Sequence, residues 1–199
     1  MIQSLLPTVV VAAAVLAGCG GAPAPADVPG ADPLQWADAY CSGIGATVTA
    51  ALQLGDPRAR VDAAAQQEAL AGYLDTAQTG YRDALQRLQW LGPPAVMAGE
   101  WRQGTATEYY RGSLQAVQDQ AARLSRLDPA APDFSQRFNE IEQSGFEPGP
   151  LQRELDALRT DPELAAALQR APACTEIDQQ LGGAGAPEGG ATDGDGAGG

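Results

Sequence analysis

Any chemistry in this chain has to be built from a short list of side chains. Among 199 residues there is no histidine, and all 12 basic side chains are arginines, so lysine is missing as well. A nucleophile activated by imidazole cannot be assembled, nor can a Schiff base or a Ser-x-x-Lys centre. Carboxylates remain, but an acid and base pair must be held about 5 to 9.5 Å apart in a cleft. The close pair Glu140 and Glu142 stands two apart on a helix and points to different sides. Glu154, Asp156, Asp161 and Glu163 read as a solvated acidic face. No nucleophile, base and orienting group come together, so the chain is not expected to be an enzyme. The side chains left with distinctive reactivity are three cysteines, Cys19, Cys41 and Cys174.

Cys19 follows an apolar run from Leu5 to Leu16. That run is about half of the roughly 20 residues a spanning helix needs, so it reads as the apolar core of an export signal. The tetrapeptide Leu16-Ala17-Gly18-Cys19 resembles the lipobox of bacterial lipoproteins. There, small residues admit the peptidase, and the thiol takes a diacylglyceryl group before its residue becomes the new N-terminus. The resemblance implies a signal peptide over residues 1–18 and a lipid-modified Cys19. Met1-Ile2-Gln3-Ser4 departs from the pattern, because no Lys or Arg precedes the apolar run. From Cys19 to Ala31 the chain is rich in Pro, Gly and Ala and reads as a lipidated tether, reaching roughly 30 Å from the membrane.

Residues 182–199 cannot bury enough apolar surface to offset their ordering entropy, and are expected to form a disordered Gly-rich tail. Within them Asp193-Gly194-Asp195-Gly196 opens like a calcium loop but lacks its later carboxylates. No metal and no other cofactor is expected.

Between these ends, residues 32–181 carry a helical pattern. Asp32-Pro33 supplies an N-cap with Pro at the first helical position, and Trp36, Tyr40, Ile44, Val48 and Leu52 follow at helical spacing up to Gly55-Asp56-Pro57. Leu70, Leu74, Ala77, Tyr81, Ala84, Leu88 and Leu91 alternate steps of four and three, one seam ending at Gly92-Pro93-Pro94. Asp75-Thr76, which resembles the opening of an aspartic-protease turn, sits inside that helix and is followed by Ala. A third helix is predicted from about Val96 to Leu127, with Tyr110, Leu114, Val117, Ala121 and Leu124 in register and Met97 and Trp101 in another phase. Phe134, Phe138 and Ile141 mark a short helix; Leu151, Leu155 and Leu158 mark another. Asp161-Pro162 then caps a segment with Leu164 and Leu168. Period-two alternation is missing throughout, so strands are not expected. The economical arrangement is an all-α, antiparallel helical bundle of about four main helices.

With Cys19 lipidated, Cys41 and Cys174 are left as an even pair in an exported and hence disulfide-permissive setting. They are expected to be joined, stapling the first helix to a point just after the last. Two free buried thiols are the alternative. A metal site is disfavoured because no histidine or Cys-x-x-Cys spacing adds ligands.

The segments "WADAYC", "YLDTAQTGYRDALQRLQWLGPP" and "LRTDPELAAALQRAPAC" together resemble a group of small secreted proteins and lipoproteins of high-GC Gram-positive bacteria. That resemblance spans most of Asp32 to Cys174 and implies a helical bundle with Cys41 paired to Cys174. It implies no activity.

A net charge of −13 repels phosphate backbones, so nucleic acid is not an expected partner. Trp101, Tyr109 and Arg111, with Arg102 nearby, are the side chains best suited to a binding surface, since aromatics and arginines anchor interfaces. Tyr110 is expected in the core with Tyr109 at its rim, and Trp36 and Trp90 are expected to pack near helix ends. The expected protein is tethered to the outer face of the cytoplasmic membrane through Cys19. It would act by non-catalytic contact with an envelope protein, or alternatively as a binder of a small apolar ligand between its helices.

Overall fold

The structure, a computed structural model, describes residues 29–60, 62–144 and 157–184. Cys19, the signal peptide, most of the tether, Glu154, Asp156, Leu151, Leu155 and the tail beyond Ala184 lie outside the described residues. Six α-helices are described: α1 (Pro33–Leu54), α2 (Ala63–Leu91), α3 (Gly99–Leu124), α4 (Phe134–Gln143), α5 (Pro162–Arg170) and α6 (Pro172–Ala184). A short 3-10 turn (Pro57–Ala59) precedes α2. Among the described residues there is no strand, as the lack of period-two alternation predicts.

Aspartates start the helices by capping their own first turns. Asp32 Oδ1 accepts from the backbone N–H groups of Leu34 and Gln35, Asp62 from Ala64, and Asp161 from Glu163 and Leu164. Each carboxylate satisfies donors that have no partner within the helix. Asp161 is therefore a buried cap and not part of a solvated acidic face. Gly92 ends α2 at φ 73°, where a side chain would be strained.

The predicted seams become the core. Trp36, Tyr40, Ile44, Leu70, Leu74, Ala77, Tyr81, Ala84 and Leu88 are all buried. Leu52 is exposed, because its turn of α1 has no neighbour on that side. The third helix begins at Gly99, later than Val96, since Ala98 takes the left-handed conformation and Val96 packs into the core from the connection. α1 and α2 meet closely at glycine: a Cβ on Gly43 would stand 2.6 Å from the Tyr110 ring and 2.7 Å from the Ala84 Cβ. Large side chains elsewhere on the seam would hold the helices further apart.

Two clusters make up the core. The first gathers Trp36, Tyr40, Tyr81, Tyr110, Leu158, Leu164, Leu168 and Ile177 from five helices and the 157–160 segment. The second gathers Leu70, Leu74, Leu124, Leu127, Phe134, Phe138 and Ile141. α1, α2 and α3 alternate in direction: Gly43 faces Gly80 and Ala84, Gln103 reaches Leu88, and Gln67 reaches Leu124. α6 runs parallel to α1, with Asp38 beside Ala173, Cys41 bonded to Cys174, and Thr49 beside Gln180. The disulfide joins Cα atoms 5.0 Å apart across 133 residues. Cys174 does not follow the last helix, as the spacing suggests, but lies inside it. α6 also extends to Ala184, past the expected boundary at Leu181.

Candidate functional site

The chain enters the bundle through a small backbone clasp. The Ala31 N–H donates to the Pro93 carbonyl at 2.8 Å, and the Ala95 N–H donates to the Ala31 carbonyl at 2.8 Å. The residue taken as the end of the tether is thus pinned to the α2–α3 connection. Immediately inside, the Trp36 Nε1–H donates to Gln103 Oε1 at 2.7 Å, and Gln103 Nε2 donates to the Leu88 carbonyl at 2.8 Å. That pair ties the start of α1 to the end of α2 and the start of α3. Asp38 adds a further link: Oδ1 accepts from the Ala173 N–H at the start of α6, while Oδ2 meets Arg87 at 3.1 Å. The four helix ends here are held by specific hydrogen bonds.

Around the clasp the surface is apolar where the seam pattern places side chains outward. Trp90 is 83% exposed, Met97 84% and Trp101 56%. Trp90 borders an open groove of about 410 Å³ with Leu34, Gln35, Asp38 and Pro172. The expectation that Trp90 packs at a helix end is therefore corrected. It sits two residues past Leu88, about 200° round the helix from the buried seam. Trp101 likewise stands nine residues before the buried Tyr110, half a revolution away. The seam phase carried both placements. Met97, read with Trp101 as a separate phase of the third helix, lies instead in the connection before Gly99.

The residues proposed as a binding surface are not brought together. Trp101 is at the clasped end with the Arg102 guanidinium 4.7 Å from its ring centroid. Arg102 itself is buried and turned inward, its Nη1 donating to the Ala157 carbonyl at 2.7 Å and its Nη2 to Thr160 Oγ1 at 3.1 Å. Tyr109 is half-buried, 6.4 Å from Tyr40 and 5.2 Å from Tyr110 between centroids, at the rim of the core. Arg111 is exposed two residues on, about 200° from Tyr109.

Inside the bundle the polar groups are used structurally. Tyr110 is fully buried, its hydroxyl donating to the Tyr40 carbonyl, and burial pushes its phenol well above the ordinary value. Burial pushes Tyr73 up to about 12, with Tyr81 adding to the effect, and raises Tyr81 against the opposing hydrogen bond from Thr47. These tyrosines stay neutral across the ordinary pH range and offer no base. Cys41 and Cys174 are consumed by their bond. Among the described residues no group of three His, Cys, Asp or Glu could hold a metal ion. Glu142 lies 3.7 Å from Arg58, and Asp75 is exposed on α2.

Recesses between helices include two beside α1 among the described residues. One of about 260 Å³ runs beside the disulfide, lined by Ile44, Leu168, Ile177 and Arg159. Another of about 60 Å³ sits among Ile44, Val48, Tyr73, Tyr81 and Tyr109. Ligand pockets generally span about 300 to 1,000 Å³; both recesses fall below that range, and the open groove beside Trp90 falls within it. No described helix is long and apolar enough to cross a membrane. Compared with known proteins, the chain matches no family model, no curated protein and no solved structure.

Proposed function

We propose that this is a lipid-anchored protein of the outer face of the cytoplasmic membrane, acting through non-catalytic contact with another envelope protein. The observation that carries the reading is Leu16-Ala17-Gly18-Cys19 placed directly after a short apolar run. A disulfide between Cys41 and Cys174 supports export, because such bonds persist in oxidising compartments. The similarity of the "WADAYC" and "LRTDPELAAALQRAPAC" segments to small secreted proteins and lipoproteins of high-GC Gram-positive bacteria points the same way. Close packing at Gly43 against Tyr110 and Ala84 favours a contact protein over a carrier of apolar ligands.

Replacing Cys19 by Ser removes the only thiol that could be acylated outside the disulfide. Cys19→Ser is expected to move the protein from the membrane fraction to the medium, or to leave it unprocessed. Unchanged membrane retention would sink the anchor. Native mass spectrometry of the unreduced protein from its own cells complements this. The expected mass is a chain from Cys19 with acyl groups and one disulfide. An added protein mass supports the contact reading, and an added small mass supports a carrier.

A further inference from the structure

We propose that the clasped end of the bundle lies against the bilayer, with Trp90, Met97 and Trp101 seated among the lipid headgroups. This rests on the lipid anchor proposed above and goes beyond it by assigning the domain an orientation.

The argument begins with where large apolar side chains are exposed. Of the five among the described residues, Trp90, Met97 and Trp101 are at the clasped end, and two of these are indoles. Leu52 and Leu181 are the others, near the far ends of the parallel helices α1 and α6. Indoles favour the boundary between hydrocarbon and water, where the ring is partly desolvated and the N–H keeps a polar partner. The unbranched Met97 side chain suits the same layer.

The second observation is the length and attachment of the leash. Cys19 and Ala31 are 12 residues apart, and Ala31 is held by two backbone hydrogen bonds to Pro93 and Ala95. Twelve residues span at most about 40 to 43 Å, and about 20 Å where such a segment behaves as a random coil. α1, at 22 residues, carries the bundle about 33 Å away from that point. The leash therefore keeps the clasped end near the lipid; an upright bundle with its far end on the lipid would need the leash drawn out to about 33 Å. Tethering also turns a weak contact into an intramolecular one at millimolar effective concentration, so a few apolar side chains suffice. A net charge of −13 opposes attraction to anionic headgroups, which leaves the apolar and aromatic contact as the source of affinity.

The test uses the mature protein purified with its anchor and reconstituted into phosphatidylcholine vesicles with brominated acyl chains, which quench indole emission on contact. The third tryptophan, Trp36, is buried and serves as an internal reference. Emission from Trp90 and Trp101 is expected to shift to the blue and to lose most of its intensity. In Trp90→Phe/Trp101→Phe the remaining Trp36 emission is expected to be unquenched. Adding Leu52→Trp to that background places an indole at the far end, where it too is expected to stay unquenched.

An acylated protein that floats with the vesicles yet keeps its full emission overturns the orientation alone. Equal quenching at the Leu52→Trp position overturns it as well. A bare, unacylated Cys19 by mass overturns the anchor and the orientation together.

Discussion

At the clasped end, the core around Trp36, Tyr40 and Tyr110 takes its walls from α1, α2, α3, α5 and α6, so residues as distant in sequence as Trp36 and Ile177 share it. At the far end, the core around Leu74 and Phe138 is closed by α2, α3 and α4, running from Leu70 to Ile141. The first brings together the two termini of the domain and is covalently stapled by Cys41–Cys174. The second lacks a staple and folds a short helix back over its predecessors. Closing a long loop costs more entropy than closing a short one. The cross-link stands where closure between distant segments is needed, and local packing is enough elsewhere.

The sharpest way to break the comparison is to remove the staple. For a 133-residue loop the chain-entropy account puts the loss in Cys41→Ser/Cys174→Ser at up to about 5 kcal/mol. Denaturant unfolding of the double variant measures it. A change below about 1 kcal/mol would mean that packing alone holds the clasped end.

Next in size is Phe138→Ala, which empties a fully buried site and is expected to cost about 3 to 5 kcal/mol. Native-state hydrogen exchange gives this variant a finer readout. Amides of α4 and the start of α2 are expected to exchange faster, with α1 and α6 little changed. Uniform acceleration would show that the two ends are one cooperative unit.

The smallest effect concerns Tyr73, which packs against the far core and, with Tyr81 and Tyr109, lines the recess between the two regions. Its phenol is raised from 10.0 to about 12, so the folded form holds its proton where the unfolded form has lost it. That contribution is complete below pH 10 and drains away as the pH climbs towards about 12. A melting-temperature series over that window is expected to fall less steeply in Tyr73→Phe than in the parent. Identical slopes would remove Tyr73 from the junction's titration.

Local signals were legible in proportion to how locally they act. The N-caps Asp32 and Asp161 bind groups two or three residues away, and the α2 seam repeats within one helix. Trp90 and Trp101 were legible in phase but not in purpose, because a helix shows which way a residue points and not what stands opposite. Trp101, Tyr109 and Arg111 are close in sequence yet diverge around one helix, so nearness along the chain misled.

What the amino-acid sequence determined by itself was the helical class, the start of α1 and the ends of α1 and α2, the inward faces of α1, α2 and α4, the lack of any histidine or lysine chemistry, and the even cysteine pair. Only the tertiary structure decided how the far ends of helices are satisfied. Gln103 serves the Leu88 carbonyl, Gln67 the Leu124 carbonyl, Gln120 the Ile141 carbonyl and Arg102 the Ala157 carbonyl. It also decided the clasp at Ala31 and the parallel course of α6. The starts of α1, α2 and α5 are capped from within, because a short side chain reaches its own first turn, whereas α6 takes Asp38 from α1. The Leu88, Leu124, Ile141 and Ala157 carbonyls each already accept from a group three or four residues on, and the second partner arrives only when other helices pack.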